Sequence, residues 1–504
     1  MTTDRPHPEG QVAESNRASG SLSPEPILAA VDNYRGSFVD LDLNLRIEAP
    51  ALAAGRALLV RNLLAGGLRE SDRMVVALGN GPLFVAALAA TLEIGACPLL
   101  VHAQLPPAEL RRTALRYGAA FVLSDSHEDA ELAAIGSSHT AHDAPWLRWM
   151  QTSIDQSDPN FCNEYPVLRG VPLHPTSGST GLPKLAARPG ASAVAEAVNY
   201  IDATGIDHRD AIFVATPMSH AYAYGMGLMV PLMSNATVLS TRRFALKHAL
   251  AALRDSGVTI FPAVPAMLDM LLFGKGGNLL FGPRMVLSAG APLSRRTVDN
   301  FRQITGRLIH PLYGTTETGG ISIGVDGVLP NEADRVGTPL RGVNARIDGA
   351  GSTMLDEGVG HVAIQSTSMM AGYLSRSGID ATSLDSGWFV TGDLGRIHAD
   401  GTLQLRGRES EMINVAGMKV VPYEVETVLA EFPGVLECKV YTGKRRSGSE
   451  FVKAAVVAPP SLDISELRAH CQQQLVYYKR PDVIARLDIM PRSAAGKILK
   501  DQLP

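Results

Sequence analysis

The chain reads as an α/β protein in two unequal parts. A large N-terminal domain carries parallel α/β sheets and a small antiparallel β subdomain, and a small α+β domain follows it. Three observations predict this. At 504 residues the chain exceeds what one hydrophobic core usually serves, so two or more domains are expected. Through the first two thirds, short β-rich runs alternate with helical segments, the punctuation of a parallel sheet. From Val336 the texture changes to short strands joined by tight turns, and beyond Gly407 roughly 95 residues remain, enough for a small core of their own.

In chain order, residues 1–25 are rich in Pro, Ser, Gly and charge and read as a mobile tail. Asp4, Arg5, His7 and Glu9, with no apolar stretch behind them, exclude a secretory signal. Met74–Leu78 is a strand; Asn80 and Gly81 turn it into an apolar helix, Leu83–Leu92, and Pro98–Val101 is the next strand. Ala119–Leu123, Ile212–Ala215, Thr259–Phe261 and Met285–Ser288 repeat the strand pattern beside helices such as Leu246–Asp255 and Val298–Thr305. Val343–Ile347, His361–Gln365, Arg396–His398 and Leu403–Arg406, with turns at Asp348-Gly349 and Asp400-Gly401, predict the antiparallel subdomain. In the last part, Val425, Val428, Leu429 and Phe432 have helical spacing behind Pro422, and Lys439–Tyr441 and Val452–Val457 read as strands. The expected domains are 26–408 and 411–504.

Bulk composition bounds the function. A hydrophobic content of 45% with 19% charge fits a soluble globular protein, and a net charge of −4 offers no footprint for nucleic acid. The apolar run at Leu83 ends at Glu93, short of the ~18 residues of a membrane span. Cys97, Cys162, Cys438 and Cys471 are scattered without metal spacing, as expected of reduced thiols in a cytoplasmic protein.

The most informative stretch is Thr176-Ser177-Gly178-Ser179-Thr180-Gly181-Leu182-Pro183-Lys184. Glycines let backbone N–H groups converge on one anion, hydroxyls add donors, and Lys184 adds positive charge. This is the chemistry of a polyphosphate cradle. It is not a Walker A loop, because the Gly-Lys-Ser/Thr ending is missing. Four segments follow in order: Tyr313-Gly314-Thr315-Thr316-Glu317-Thr318-Gly319; Gly387–Gly395 around Asp393; Gly407-Arg408 through Gly417; and Pro491–Lys500 around Lys497.

In this order the set resembles the AMP-forming adenylating enzymes, the superfamily of acyl- and aryl-CoA synthetases, peptide-synthetase adenylation domains and luciferases. The resemblance runs from about residue 55 to the C-terminus. It implies that ATP, with Mg2+, activates a carboxylic acid as an acyl-adenylate, and that a thiol then takes the acyl group. The implied roles are as follows. Thr176, Ser177, Gly178, Ser179, Thr180 and Lys184 grip the β- and γ-phosphates. Gly290, Ala291 and Pro292 line the adenine pocket. Tyr313 stacks on adenine, with Gly314 and Thr315 beside it; Thr316 reaches the α-phosphate and Glu317 binds Mg2+. Asp393 accepts hydrogen bonds from both ribose hydroxyls, with Arg408 next to it. Lys497 bridges the carboxylate and the α-phosphate as charge shifts. The small domain then rotates, and the face near Gly417 closes a thiol tunnel. The hinge, two residues after the arginine, is usually Asp or Lys in the family; here it is Ser410, which puts the timing of rotation in question.

Pro217–Gly227 matches the start of the acid site, so His220, Ala221, Tyr222, Gly225, Gly314 and Gly319 are its candidate lining. Amino-acid-activating members place Asp where Ala221 stands, which argues against an α-amino acid. The Ala-Tyr-Gly-Met-Gly run looks like benzoate-type ligases and suits a flat ring. His220 has three open readings: stacking over the acid, gating it, or packing. Lys444-Arg445-Arg446 reads as a solvated hairpin tip rather than a contact for CoA or an acidic carrier. The leading expectation is an acyl- or aryl-CoA synthetase. The alternatives are a stand-alone enzyme that loads the phosphopantetheine of a separate carrier protein, an adenylating enzyme with an inorganic oxyacid or a non-thiol acceptor, and a non-catalytic binder. Intact Lys184, Glu317, Asp393 and Lys497 argue against the last.

Overall fold

The computed structural model describes residues 22–127, 131–132, 135–142, 144–176, 183–273, 282–349, 358–415, 418–445, 449–492 and 498–504. Two nine-stranded sheets face one another. One runs Thr338–Pro339, Gly319–Ile323, His310–Thr315, Met285–Ser288, Ile260–Ala263, Ala211–Val214, Thr237–Ser240, Ser37–Asp40, Leu45–Glu48. The other runs Gly378–Asp380, Gly372–Ser375, Lys184–Ala187, Leu173–Thr176, Cys97–Leu100, Arg73–Ala77, Phe121–Ser124, Arg148–Ser153, Ser137–His142. Their central strands pair in parallel, and antiparallel strands close the edges.

Strand alternation explains the layering. Met74 and Val76 face a central core, while Val75 and Ala77 face an outer one. Ile212 and Val214 join the same central core, and Phe213 and Ala215 turn to the opposite outer one. Successive residues of a strand point to opposite faces, so each sheet needs cover on both sides. The helix Pro82–Ile94 supplies central cover: its residues from Pro82 to Leu92 are all buried, as its unbroken apolar sequence requires. The result is five layers, helices alternating with two sheets.

The strands and helices expected from the sequence are present, mostly within two residues of their expected ends. A helix opens at Glu25, and Ile27 and Leu28 anchor it in the central core. The antiparallel subdomain forms around Val343–Asp348, Gly360–Ser366, Trp388–Ile397 and Leu403–Arg408. Not all of its sequence stays there: Gly372–Ser375 leaves to pair with Lys184–Ala187 in the large sheet. Beyond Ser410, Ile413 to Ile484 build a separate small core from the helices Pro422–Glu431 and Ile464–Gln474 and a three-stranded sheet.

His174 is buried between the sheets, edge-on to Tyr224 at 4.7 Å. Burial first, then the charge of Arg188, pushes its pKa down to about 3. The unfolded chain takes up a proton near pH 6.5 but the folded chain only near pH 3, so unfolding binds a proton between these values. Stability therefore falls as pH drops through that window. A Tm–pH profile of His174→Phe should be flatter than wild type between pH 6.5 and 4; parallel profiles would show that His174 is not a source of the slope.

Candidate active site

The candidate site forms where strand ends of the two sheets and the subdomain meet. Met285–Ser288 and His310–Thr315 run parallel, and their C-terminal ends carry Gly290-Ala291-Pro292 and Tyr313-Gly314-Thr315. Ligands of open α/β sheets bind at such ends. Gly290, Ala291 and Pro292 are exposed there. The chain then turns through Thr316-Glu317-Thr318 into the antiparallel strand Gly319–Ile323. Thr315 and Thr318 lock this turn: their hydroxyls lie 3.0 Å apart, and each backbone N–H donates to the other's hydroxyl at 3.3 and 3.2 Å. Gly314 has a steric reason, since a Cβ there would come within 2.6 Å of the Gly319 carbonyl oxygen.

Asp393 reaches this turn from the subdomain. Its strand pairs with Leu403–Arg408 so that Asp393 stands opposite Arg408. Asp393 is 6% exposed. The Tyr313 hydroxyl donates to Oδ2 at 2.6 Å, and Arg408 Nε donates to Oδ1 at 2.8 Å. Burial, then the charge of Asp393, raises the Tyr313 pKa well above its usual value, so the phenol remains a donor. The Asp393 charge likewise raises that of Arg408. Each carboxylate oxygen has two lone pairs, so both retain capacity for a further donor. Three residues predicted for ATP are thus brought together, and Tyr313 has a hydrogen-bonding role that the sequence did not reveal.

Glu317 accepts the Tyr373 hydroxyl on Oε1 at 2.8 Å. Lys184 lies with Nζ 4.9 Å from the centre of the Tyr373 ring, on a strand where it stands opposite Thr176. The predicted metal ligand and both ends of the predicted phosphate loop therefore share one neighbourhood. Ser177, Gly178, Ser179 and Thr180 lie outside the described residues, as do Gly417 and Lys497. The base of the Lys497 segment is described: Arg492 bridges to Ile498 in antiparallel fashion, and Leu499 N–H donates to the Pro491 carbonyl at 2.9 Å. Among the described residues, no group of three or more His, Cys, Asp or Glu side chains gathers as for a metal. A lone carboxylate fits Mg2+ held largely by phosphate oxygens and water. Glu317 Oε2 accepts no hydrogen bond from the described residues and is suited to that role.

His220 precedes a single short turn, Ala221–Ala223, which widens into a π-helical turn, Tyr224–Met229. Tyr224 and Met226 point into the central core and are fully buried. His220 lies 6.5 Å from His102, ring to ring. Gly225 is required by packing: a Cβ would stand 2.7 Å from the Glu196 carboxyl carbon. Gly319 abuts the same place, where Arg188 Nη2 meets Glu196 Oε2 at 2.9 Å with Arg188 fully buried. Glu196 Oε1 also accepts from Tyr200 at 3.1 Å and from Gly320 N–H at 3.0 Å. This ion pair backs the predicted acid pocket, and the sequence offered no sign of it. Its two charges lie eight residues apart across a strand–helix junction.

Beside the acid segment is a cavity of about 260 Å³ lined by Gln104, Asp125, His127, Arg148, Arg242 and Arg243, among others. Asn80 connects the two: its side-chain amide donates to the Thr216 carbonyl at 3.1 Å and accepts from Met218 N–H at 2.7 Å. Ser410 lies exposed in the turn Glu409–Glu411 between the domains. The next residue, Glu411, binds Lys439 at 3.2 Å and Lys500 at 2.6 Å. Val421 and Tyr423 of the small domain pack on Val359 and Leu394 of the large one.

Comparison with known proteins agrees with this architecture. The model of the AMP-binding enzyme family matches residues 54–374, and that of the AMP-binding enzyme C-terminal domain matches residues 424–497. A fatty acid–[acyl-carrier-protein] ligase of Streptomyces coeruleorubidus is 31% identical over 74% of this chain and 72% of its own length. The 2-succinylbenzoate–CoA ligase of Bacillus subtilis is 25% identical over 96% of this chain and 95% of its own. The solved structure of the O-succinylbenzoate coenzyme A synthetase of Bacillus subtilis with AMP superposes with a TM-score of 0.77, at 25% identity, covering 95% of this chain and 98% of that one. No helix among the described residues is long and apolar enough to cross a membrane. The order of motifs, the five-layered domain with its small C-terminal partner, and both family models lead to one assignment: the chain belongs to the AMP-binding enzymes, the superfamily of AMP-forming adenylating ligases.

Proposed function

We propose that this protein couples a carboxylic acid to AMP with release of pyrophosphate, and then transfers the acyl group to the thiol of CoA. The observation that carries the reading is the Tyr313–Asp393–Arg408 cluster standing beside Glu317 and Lys184. A carboxylate with spare acceptor capacity suits the ribose hydroxyls, and an exposed lysine suits phosphate. The ring of Tyr313 would lie against adenine, with Gly290-Ala291-Pro292 around it. Displacement at the α-phosphorus needs alignment and charge neutralisation more than covalent help. Lys184, Thr316 and Lys497 supply that, and bound Mg2+ would add charge neutralisation at the phosphates. The basic cavity beside the acid segment favours CoA, whose nucleotide end bears phosphates. The 31% identity to a ligase that acts on an acyl carrier protein supports a second reading, loading of a separate carrier.

Pyrophosphate release from ATP over a panel of aromatic, aliphatic and amino acids tests the first step. Adding CoA or a phosphopantetheinylated carrier then separates the two acceptors. No pyrophosphate with any acid would refute the adenylation reading.

Ser410 is proposed as the pivot between the two half-reactions. Ser410→Pro would fix φ near about −65° and remove an N–H donor. It should slow thioester formation far more than adenylation, because only the second step needs the rotated domain. Measured separately, equal slowing of both half-reactions, or of neither, would show that the pivot lies elsewhere.

A further inference from the structure

We propose that Tyr373 is a positioning residue for adenylation: its hydroxyl orients Glu317 for Mg2+, and its ring holds Lys184 toward the phosphates. The proposal rests on the adenylation reading above and adds a residue to it. Tyr373 lies on Gly372–Ser375, which pairs with the strand that begins at Lys184. Glu317 lies on a turn of the other large sheet. The hydroxyl spans the gap, donating to Glu317 Oε1 at 2.8 Å. Thr176, the residue that leads into the phosphate loop, stands opposite Lys184 on the neighbouring strand. Met370 N–H donates to the Glu317 carbonyl at 2.7 Å, so the segment before Tyr373 also holds the turn in place.

The physical case has two parts. A carboxylate that must bind a metal is free to rotate unless one oxygen is held. Tyr373 engages Oε1 and leaves Oε2 for the ion, the arrangement by which outer partners orient metal ligands. A phenol hydroxyl carries a proton to donate, and this one lies 2.8 Å from that carboxylate. Lysine, in turn, is a point charge on a flexible stem. With Nζ 4.9 Å from the ring centre, Lys184 has an attractive face to rest on and a narrower range to explore. One side chain thus couples both sides of the nucleotide site. A purely structural role is the rival, because Tyr373 also packs against Ala186, Met369, Met370 and Phe389.

Tyr373→Phe separates the two, since it keeps the ring and its packing and removes only the hydroxyl. Equilibrium ATP binding to the full chain would be measured with Mg2+ and with chelator, alongside Mg2+ titration of pyrophosphate exchange and Tm. The expected result is a rise of about tenfold in the Mg2+ needed for half-saturation, with chelated ATP binding and Tm as in wild type. Tyr373→Leu should show the same Mg2+ defect plus a further loss of about two- to fivefold in chelated ATP affinity, because the ring under Lys184 is gone. A wild-type Mg2+ dependence in Tyr373→Phe would overturn the proposal, as would equal losses with and without Mg2+. If wild type itself shows no Mg2+-dependent ATP binding, the adenylation reading fails first and this proposal with it.

Discussion

Lys497→Ala should lower acyl-adenylate formation by about 10²- to 10³-fold, the usual effect of removing a group that meets charge only as it develops. ATP affinity should be essentially unchanged. The motivation is the match of Pro491–Lys500 to the terminal motif of the adenylating enzymes. Lys497 itself lies outside the described residues, but its flanks are anchored. Arg492 is ion-paired with Glu437, and Lys500 reaches Glu411, next to the proposed pivot, at 2.6 Å. A lysine between such supports can be delivered and withdrawn with the whole small domain. Two assays check the prediction. Acid-dependent pyrophosphate exchange should collapse, whereas a preformed acyl-adenylate should still be converted to thioester. Wild-type exchange in the mutant would remove Lys497 from the reaction.

Asp393→Ala should weaken ATP binding by about 10²-fold or more, since two hydrogen bonds to a charged group contribute about 1.5–3 kcal/mol each. The structure adds a second consequence. The buried Tyr313 hydroxyl would lose its 2.6 Å acceptor and keep only Thr391 Oγ1 at 3.2 Å, and Arg408 would lose its carboxylate partner. A hydrogen bond to a charged group contributes about 1.5–3 kcal/mol, so Tm should fall as well. Tyr313→Phe serves as the control, because it deletes the same hydrogen bond but spares the carboxylate. If Asp393→Ala binds ATP as tightly as wild type does, Asp393 is not the ribose ligand. If Tyr313→Phe matches the full affinity loss of Asp393→Ala, the effect belongs to the network and not to ribose contact.

The sequence by itself determined a good deal about this protein. The helix Pro82–Ile94 was legible because an unbroken apolar run has one stable place, buried on all sides. The strands of the large sheets were legible because short β-rich runs sat between turn residues and beside helical segments. The family was legible because Thr176, Lys184, Tyr313, Glu317, Asp393, Arg408 and Lys497 stand in chain order within local motifs, and such motifs are written in consecutive residues. What consecutive residues cannot express is contact between distant segments, and that is what the tertiary structure decided. It put Tyr313 and Asp393, 80 positions apart, in hydrogen bond, and it carried Gly372–Ser375 out of the antiparallel subdomain to set Tyr373 between Lys184 and Glu317. It also turned Tyr224 and Met226 into the core and backed the acid segment with the Arg188–Glu196 pair. The physical reason is the same in each case. Periodicity reports that one face of an element is buried, but the partner of that face is chosen by the packing of whole layers.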